Sequence, residues 1–254
     1  MDGATHDDIL YGRLKLWQPR NGPRVSMDTV LLAAWVRSRA RRHRFVELGA
    51  ATGAVSLMLA LRFPAPFSIV GVEIQPGLVR LAERNRAENS LEDRVDFLCG
   101  DLRDPSLLPA QSFDGVAVNP PYEALGHEQE PRGRVSPIPS RSIARHGGTR
   151  GEVCCDLGDI AAAASRLLKD HGRLFAVFRT DRLAPFMSFL LACRLVPKRL
   201  RLVYPRRESP SNLFLIECVK AGGEGLTVEP PLFVTDGNGE YTPDLLRAYE
   251  PEGL

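Results

Sequence analysis

The sequence predicts an α/β fold, a mostly parallel sheet wound with helices on both faces. Three observations carry that prediction. From residue 44 onward, short runs rich in Val, Ile, Leu and Phe alternate with longer stretches of helical spacing. Successive runs end in a carboxylate or a glycine turn, as the ligand-binding edge of a parallel sheet does. The last two runs, 199–204 and 213–219, have no helix between them, which gives a terminal antiparallel hairpin.

Residues 1–41 read as an N-terminal extension. Within it Val30, Leu31, Ala34 and Trp35 recur at helical spacing, with Asp28 as the expected N-cap. Residues 44–48 form the first strand, and glycines 49 and 53 end it before a helix over 54–62. A strand over 68–73 leads to a helix over 76–89, opened by Pro76. Strands follow at 94–99 and 113–118. A helix over 153–169 closes at a Gly172 turn, a strand covers 173–178, and a helix covers 183–194. The tail is an extended segment and a turn, then a short helix begun at Thr242-Pro243. One stretch, 123–151, is irregular and rich in Pro, Gly, Ser and Arg; a loop this long in a compact domain is usually functional.

The 254 residues suit one α/β domain, 42–254, behind the extension. A hydrophobic fraction of 44% and a charged fraction of 25% are those of a soluble globular protein. The net charge of +2 is too small to announce nucleic acid by itself. The 5 cysteines form no CxxC pair and no His/Cys spacing suits zinc, so no metal is expected, and the usage fits a reducing compartment. No apolar run reaches membrane-spanning length and the start is not a signal peptide, so a cytoplasmic protein is expected.

The chemistry gathers at strand ends. In Glu47-Leu48-Gly49-Ala50-Ala51-Thr52-Gly53 a buried strand passes through a carboxylate into a glycine turn. Gly49 and Gly53 let a ligand approach the backbone closely. Glu47 is placed to hold the amino group of a cationic methionine tail. The spacing is G-x-x-x-G, not the G-x-G-x-x-G of dinucleotide sites, which argues for S-adenosylmethionine (SAM) over NAD. A plain strand-to-helix turn would show the same glycines. Glu73 ends the next strand and can accept both ribose hydroxyls, or simply cap a helix. Asp101 follows the third strand, where it can accept from the adenine amino group of SAM or cap a turn; Asp104 lies farther from the strand end.

The sharpest signal is Asn119-Pro120-Pro121-Tyr122, directly after the apolar run ending at Val118. An exocyclic adenine amine, or a glutamine amide, has its lone pair delocalised and is a poor nucleophile. The Asn119 side-chain carbonyl and the Pro120 backbone carbonyl can accept its two N–H bonds and localise the lone pair, an effect realised mainly in the transition state. Two prolines fix φ and pre-organise the loop. Tyr122 can stack on an extruded base. A polyproline loop after a strand is the bland alternative.

Positive charge falls in patches. Arg132, Arg134, Arg141, Arg145, His146 and Arg150 crowd the loop after Tyr122, with no Asp or Glu from Pro131 to Gly151. A second patch holds Arg37, Arg39, Arg41, Arg42, His43 and Arg44, and a third Lys198, Arg199, Arg201, Arg206 and Arg207. The loop is read as a basic substrate loop for RNA; the other two patches fit phosphate contact and solvated surface equally well.

At this point the chain resembles the tRNA(Val) adenine N6-methyltransferases, which modify the adenine beside the anticodon. The resemblance runs from LKLWQPRNGPRVSMDTVLLAAW through ELGAATG, GVEI, GD and NPPY to SIARH (142–146), RLRLVYP and the final PLFVTDGNGEYTPDLLRAY. It implies a Rossmann-like class I SAM methyltransferase with a seven-stranded sheet and tRNA as the nucleic-acid partner. It places Glu47, Gly49, Gly53, Glu73 and Asp101 at the cofactor, with Ile74 beside Glu73 and Leu102 offering its backbone to the adenine edge. Asn119, Pro120, Pro121 and Tyr122 fall at the target base. Asp28 and Thr29, in SMDTVLLA, would flank the methionine end of SAM, under an N-terminal extension that packs over the cofactor site. Two positions depart from the family pattern. Ala51 replaces the middle glycine of G-x-G-x-G, an alanine expected to keep negative φ and weaken SAM binding at most. The family string ARHE is here Ala144-Arg145-His146-Gly147, after a lengthened loop.

Other readings stay open on sequence grounds. Glutamine methyltransferases of release factors share NPPY but resemble chains with a helical domain ahead, for which 41 residues leave little room. Ribosomal RNA bases and DNA adenine are closer alternatives. A non-catalytic SAM-fold module that binds RNA is the alternative of another class, and SAM binding separates it from an enzyme.

Overall fold

Leu14 and Leu16 alternate with polar neighbours, and that period-two pattern makes a strand rather than a helix. In the computed structural model, which describes residues 3–37, 43–120, 155–251 and 253, β1 (Ala4–Ile9) and β2 (Leu14–Pro19) form an antiparallel hairpin. This hairpin was not among the elements expected of the extension. It is fastened to the body by two asparagines one helical turn apart on α3 (Pro76–Glu88) and its C-cap. Asn85 Oδ1 accepts from Trp17 N at 2.6 Å and Asn89 Oδ1 from Lys15 N at 3.0 Å, so the helix supplies the hydrogen bonds a third strand would.

α1 (Met27–Trp35) follows, capped by Ser26 rather than Asp28. Ser26 N donates to Thr29 Oγ1 at 3.3 Å, which fixes the cap two residues before the expected one and leaves Asp28 inside the first turn. From Thr29 to Trp35 the helix is buried on all sides, which explains its apolar composition.

The main sheet contains β3 (His43–Leu48), β4 (Phe67–Glu73), β5 (Val95–Cys99), β6 (Phe113–Val118), β7 (Leu168–Arg179), β8 (Leu195–Tyr204) and β9 (Leu213–Lys220). Their order is β8-β9-β7-β6-β3-β4-β5, parallel except for β9, which runs against both neighbours. Two-residue strands β10 (Thr227–Val228) and β11 (Leu232–Phe233) pair with the edge strand β8. The expected terminal hairpin is thus β8–β9. β8 begins earlier than expected because it pairs with β9 along its length, with Pro197 accommodated at a register shift. The Gly172 turn survives as a bulge inside β7, with His171 at φ 63°.

Helices cover both faces. α1, α2 (Ala54–Arg62) and α3 pack over Phe45, Phe175, Val177 and Leu215. α4 (Leu157–Leu167) and α5 (Leu183–Ala192) pack over Val46, Leu48, Val116 and Leu174. Phe45 and Val46 are neighbours in the chain and face opposite layers, as the strand period requires. α4 starts later than expected because Asp156 caps it, accepting from Asp159 N at 2.8 Å. The tail ends in α6 (Pro243–Arg247), whose cap Thr242 accepts from Leu245 N at 3.2 Å. Among the described residues no helix is long and apolar enough to cross a membrane.

Candidate active site

Strand register sets the site. Leu48 pairs with Val72 on one side and Val118 on the other, and Glu73 pairs with Cys99. Gly49, Glu73, Cys99 and Asn119 therefore stand in one row across four adjacent strand ends, each about 4.8 Å from the next. Parallel strands bring residues 70 positions apart to one edge, and that edge is where such sheets take ligands.

The glycine turn is held by Gly49 N and Ala50 N, both donating to Val72 O at 2.9 Å. Gly49 has φ 74°, and a side chain there would meet nothing within 4 Å, so its open face is free for a ligand. Gly53 also has positive φ, but the space a side chain would need is filled by the Phe97 ring. Gly53 thus serves the packing of α2 over β5, not an open approach. Ala51 lies at φ 48°, contrary to the negative φ expected of it; the turn puts all three positions of the glycine pattern in the left-handed region. Ala51 N donates to Glu73 Oε2 at 2.9 Å, and that bond holds the alanine in place.

Glu47 is 3% exposed. Burial pushes its carboxyl up to about 8, against the opposing pull of Ser56, which donates from N at 2.9 Å and Oγ at 2.5 Å. Both bonds fall on Oε2, and Oε1 has no partner among the described residues. Glu73 is also raised by burial, with Gln75 N on Oε1 and Ala51 N on Oε2 as opposing hydrogen bonds, each at 2.9 Å. Each oxygen keeps a lone pair for a hydroxyl donor. Ile74 beside it leaves 51% of its surface exposed.

Asp101 differs. Arg103 grips it with Nε at 2.9 and 3.0 Å from its two oxygens and Nη2 at 2.5 Å from Oδ2. That fork holds its carboxyl below the usual range. Arg166 on α4 braces the same loop, reaching Leu102 O at 3.3 Å, Asp104 O at 3.4 Å, Pro105 O at 3.4 Å and Leu108 O at 3.0 Å. The sequence reading missed both arginines and Ser56. Ser56 was findable, as the lone hydroxyl in the apolar helix AVSLMLALR.

Asn119 completes the row. Its Oδ1 is buried and has no hydrogen-bond partner among the described residues. A buried acceptor without a donor costs about 1–3 kcal/mol, and such orphans belong where a ligand supplies the donor. Pro120 beside it is buried. Asp28, half-buried in the first turn of α1, has its carboxyl pushed up to about 6 by burial. Pro121, Tyr122, Arg132, Arg134, Arg141, Arg145, His146 and Arg150 lie outside the described residues.

A methyltransferase-domain family model matches residues 45–132, a span holding the whole row of strand ends. A tRNA1(Val) (adenine(37)-N6)-methyltransferase of Porphyromonas gingivalis is 30% identical over 90% of this chain and 88% of its own length. The chain belongs to that family. A relative of the same name from Vibrio parahaemolyticus is 30% identical over 89% of this chain and 87% of its own. In fold, the methyltransferase is similar to Agrobacterium tumefaciens protein Atu636, described as a predicted O-methyltransferase, with a TM-score of 0.69 at 21% identity over 89% and 97% of the two chains. The protein is a SAM-dependent methyltransferase of class I fold.

Proposed function

We propose that this methyltransferase carries the methyl group of SAM to N6 of an adenine in tRNA, the one beside the anticodon, in the cytoplasm. The observation that carries this reading is the orphaned Oδ1 of Asn119, level with Gly49 and Glu73 at the ligand edge. The relatives from Porphyromonas gingivalis and Vibrio parahaemolyticus are named for that reaction.

The residues fit SAM. Gly49 offers an open backbone face, Glu73 has a free lone pair on each oxygen for the ribose, and Glu47 Oε1 awaits a cationic amine. Ile74 offers apolar surface to the adenine, Asp101 its carboxylate, and Leu102 its backbone. Gly53 holds the turn. Asp28 and Thr29 serve the methionine end. Arg62, at the far end of α2, donates to Ala33 O and so ties α1 to α2. In this reading residues 1–41 cover the cofactor site of the domain spanning 42–254. When bound, SAM supplies an electrophilic methyl on its sulfonium.

Asn119 Oδ1 and the Pro120 carbonyl accept hydrogen bonds from the two amine N–H groups of the adenine and localise the nitrogen lone pair toward that methyl. Pro121 stiffens the loop and Tyr122 stacks on the extruded base. Arg132, Arg134, Arg141, Arg145, His146 and Arg150 hold the RNA backbone. The proton then leaves to water. The test is methyl transfer from labelled SAM to unmodified tRNA with nucleoside analysis, where N6-methyladenosine is expected. Asn119→Ala lowers turnover about 100- to 1000-fold, the scale for losing one transition-state acceptor or donor, and leaves SAM affinity within about twofold. Equal loss of turnover and SAM affinity would overturn the role given to Asn119.

A further inference from the structure

The third basic patch does not behave as one surface. Lys198 donates to Gly223 O and Glu224 O, Arg199 is bound to Glu217 at 3.1 Å and Glu229 at 3.0 Å, and Arg201 to Asp244 at 3.1 Å. Those cations hold the β8–β9 end of the sheet together. Arg206 and Arg207 do not take part. Both are exposed on the β8–β9 turn, Arg206 with no ion-pair partner among the described residues and Arg207 over the Phe233 ring at 5.0 Å.

This turn lies at the ligand edge, beside the end of β7. Thr180 N donates to Asn212 O at 3.0 Å, and the Thr180 and Ser211 hydroxyls are 2.8 Å apart. Two residues past Thr180 stands Arg182. Its Nε is buried with no hydrogen-bond partner and its guanidinium has no ion pair among the described residues. The neighbouring acids are mostly committed. Asp181 is held by Arg179 at 2.6 Å, and Asp236 accepts Asn238 N at 2.8 Å and Glu240 N at 3.1 Å. Glu208 is the exposed carboxylate within the turn.

We infer that Arg182, Arg206 and Arg207 form a phosphate-binding rim that carries the RNA strand away from the target base. This inference rests on the proposed tRNA reading. β6 and β7 are adjacent, with Val118 opposite Ala176, so Asn119 and the Arg179 end of β7 share one edge. Counted from Asn119, the β8–β9 turn lies two to three strands across the sheet, a sideways separation of about 10–15 Å at 4.8 Å per strand. A base held at Asn119 leaves flanking phosphates within that span, since a strand carries one charge per roughly 3.4 Å of helix axis. Arginine suits phosphate because its planar fork donates in pairs.

The experiment measures tRNA binding and methyl transfer in parallel, for the wild type and for Arg206→Ala/Arg207→Ala, across a salt series. The double variant should raise the tRNA Kd and KM about tenfold, reduce the log–log salt slope by about 1.5–2, and leave SAM affinity and kcat within about twofold. Arg206→Lys/Arg207→Lys should recover the salt slope but only part of the affinity, since lysine keeps the charge and loses the fork, and Arg182→Ala, checked for an unchanged melting temperature, should add a further loss. Unchanged tRNA affinity, or a loss independent of salt, overturns the rim. Wild-type protein that binds tRNA through these arginines without methylating it overturns the substrate reading and keeps the rim. Wild-type protein that does not bind tRNA overturns both.

Discussion

At the β3 and β4 ends of the site, Glu47 and Glu73 are buried and have no ion-pair partner among the described residues; at the β5 end, Asp101 is a third exposed and already gripped by Arg103. The same chemical group is raised in pKa at one end and lowered at the other. The difference lies in what the protein leaves undone. Glu47 and Glu73 are desolvated and only partly compensated by hydrogen bonds, so in the proposed reading an incoming amine or hydroxyl completes them. Asp101 is completed in advance and gains little from a further donor. Differential binding belongs with the incomplete carboxylates.

The largest effect should therefore separate the two ends. Glu73→Ala removes two hydroxyl acceptors from a buried site and should weaken SAM binding by about 100-fold or more, since hydrogen bonds to a charged group are worth about 1.5–3 kcal/mol each. Asp101→Ala should cost about an order of magnitude less, because its charge is shared with Arg103. Calorimetric titration of both variants checks this. Equal losses would remove the distinction between the two ends.

A smaller effect sharpens the account of Glu47. Its folded-state pKa, about 8, lies above the ordinary value, so the free folded protein holds a proton the unfolded chain releases. Stability from this group accordingly falls as pH rises from the ordinary carboxylate range toward 8. A cationic ligand favours the ionised form and expels that proton. Wild-type affinity for SAM should then rise about 25-fold between roughly pH 6.5 and 8.5, relative to Glu47→Gln, as the ionised fraction of a group titrating at about 8 grows by that factor over the interval. Comparing the two proteins cancels the titration of the ligand itself. Parallel pH profiles would mean that Glu47 stays protonated in the complex.

What the sequence disclosed follows the same division. Glu47, Glu73, Asp101 and Asn119 were legible because each stands within two residues of a strand end, and a strand end is a local feature of apolar run and break. Their environments were not. Arg166 braces Leu102 from 64 residues away through backbone carbonyls, which carry no signature in the chain. Asp28 and Ser26 are equally good caps by residue type, and the Thr29 hydroxyl decides between them. The hairpin β1–β2 was missed because β1 is largely polar and β2 finds half its partners in Asn85 and Asn89. Charge runs told least. The cluster 198–207 divides into half-buried ties and two exposed arginines, and only the paths of the neighbouring strands separate them.

The smallest effect concerns the turn joining the two buried carboxylates. Gly49, Ala51 and Gly53 have φ of 74°, 48° and 82°, so an alanine is held where its neighbours are glycines. A left-handed alanine costs about 1–2 kcal/mol, and glycine gives back about 0.4–1 kcal/mol through the greater freedom of the unfolded chain. Ala51→Gly should therefore stabilise the protein by about 0.5–1 kcal/mol and raise its melting temperature by roughly 1–4 °C. The hydrogen bond from Ala51 N to Glu73 is retained, so SAM affinity should change by less than about twofold. A lower melting temperature would mean that alanine limits the unfolded chain more than it strains the turn. A large gain in SAM affinity would mean that Ala51 holds the loop away from the geometry the cofactor needs, and that the turn, not the buried carboxylates, limits binding.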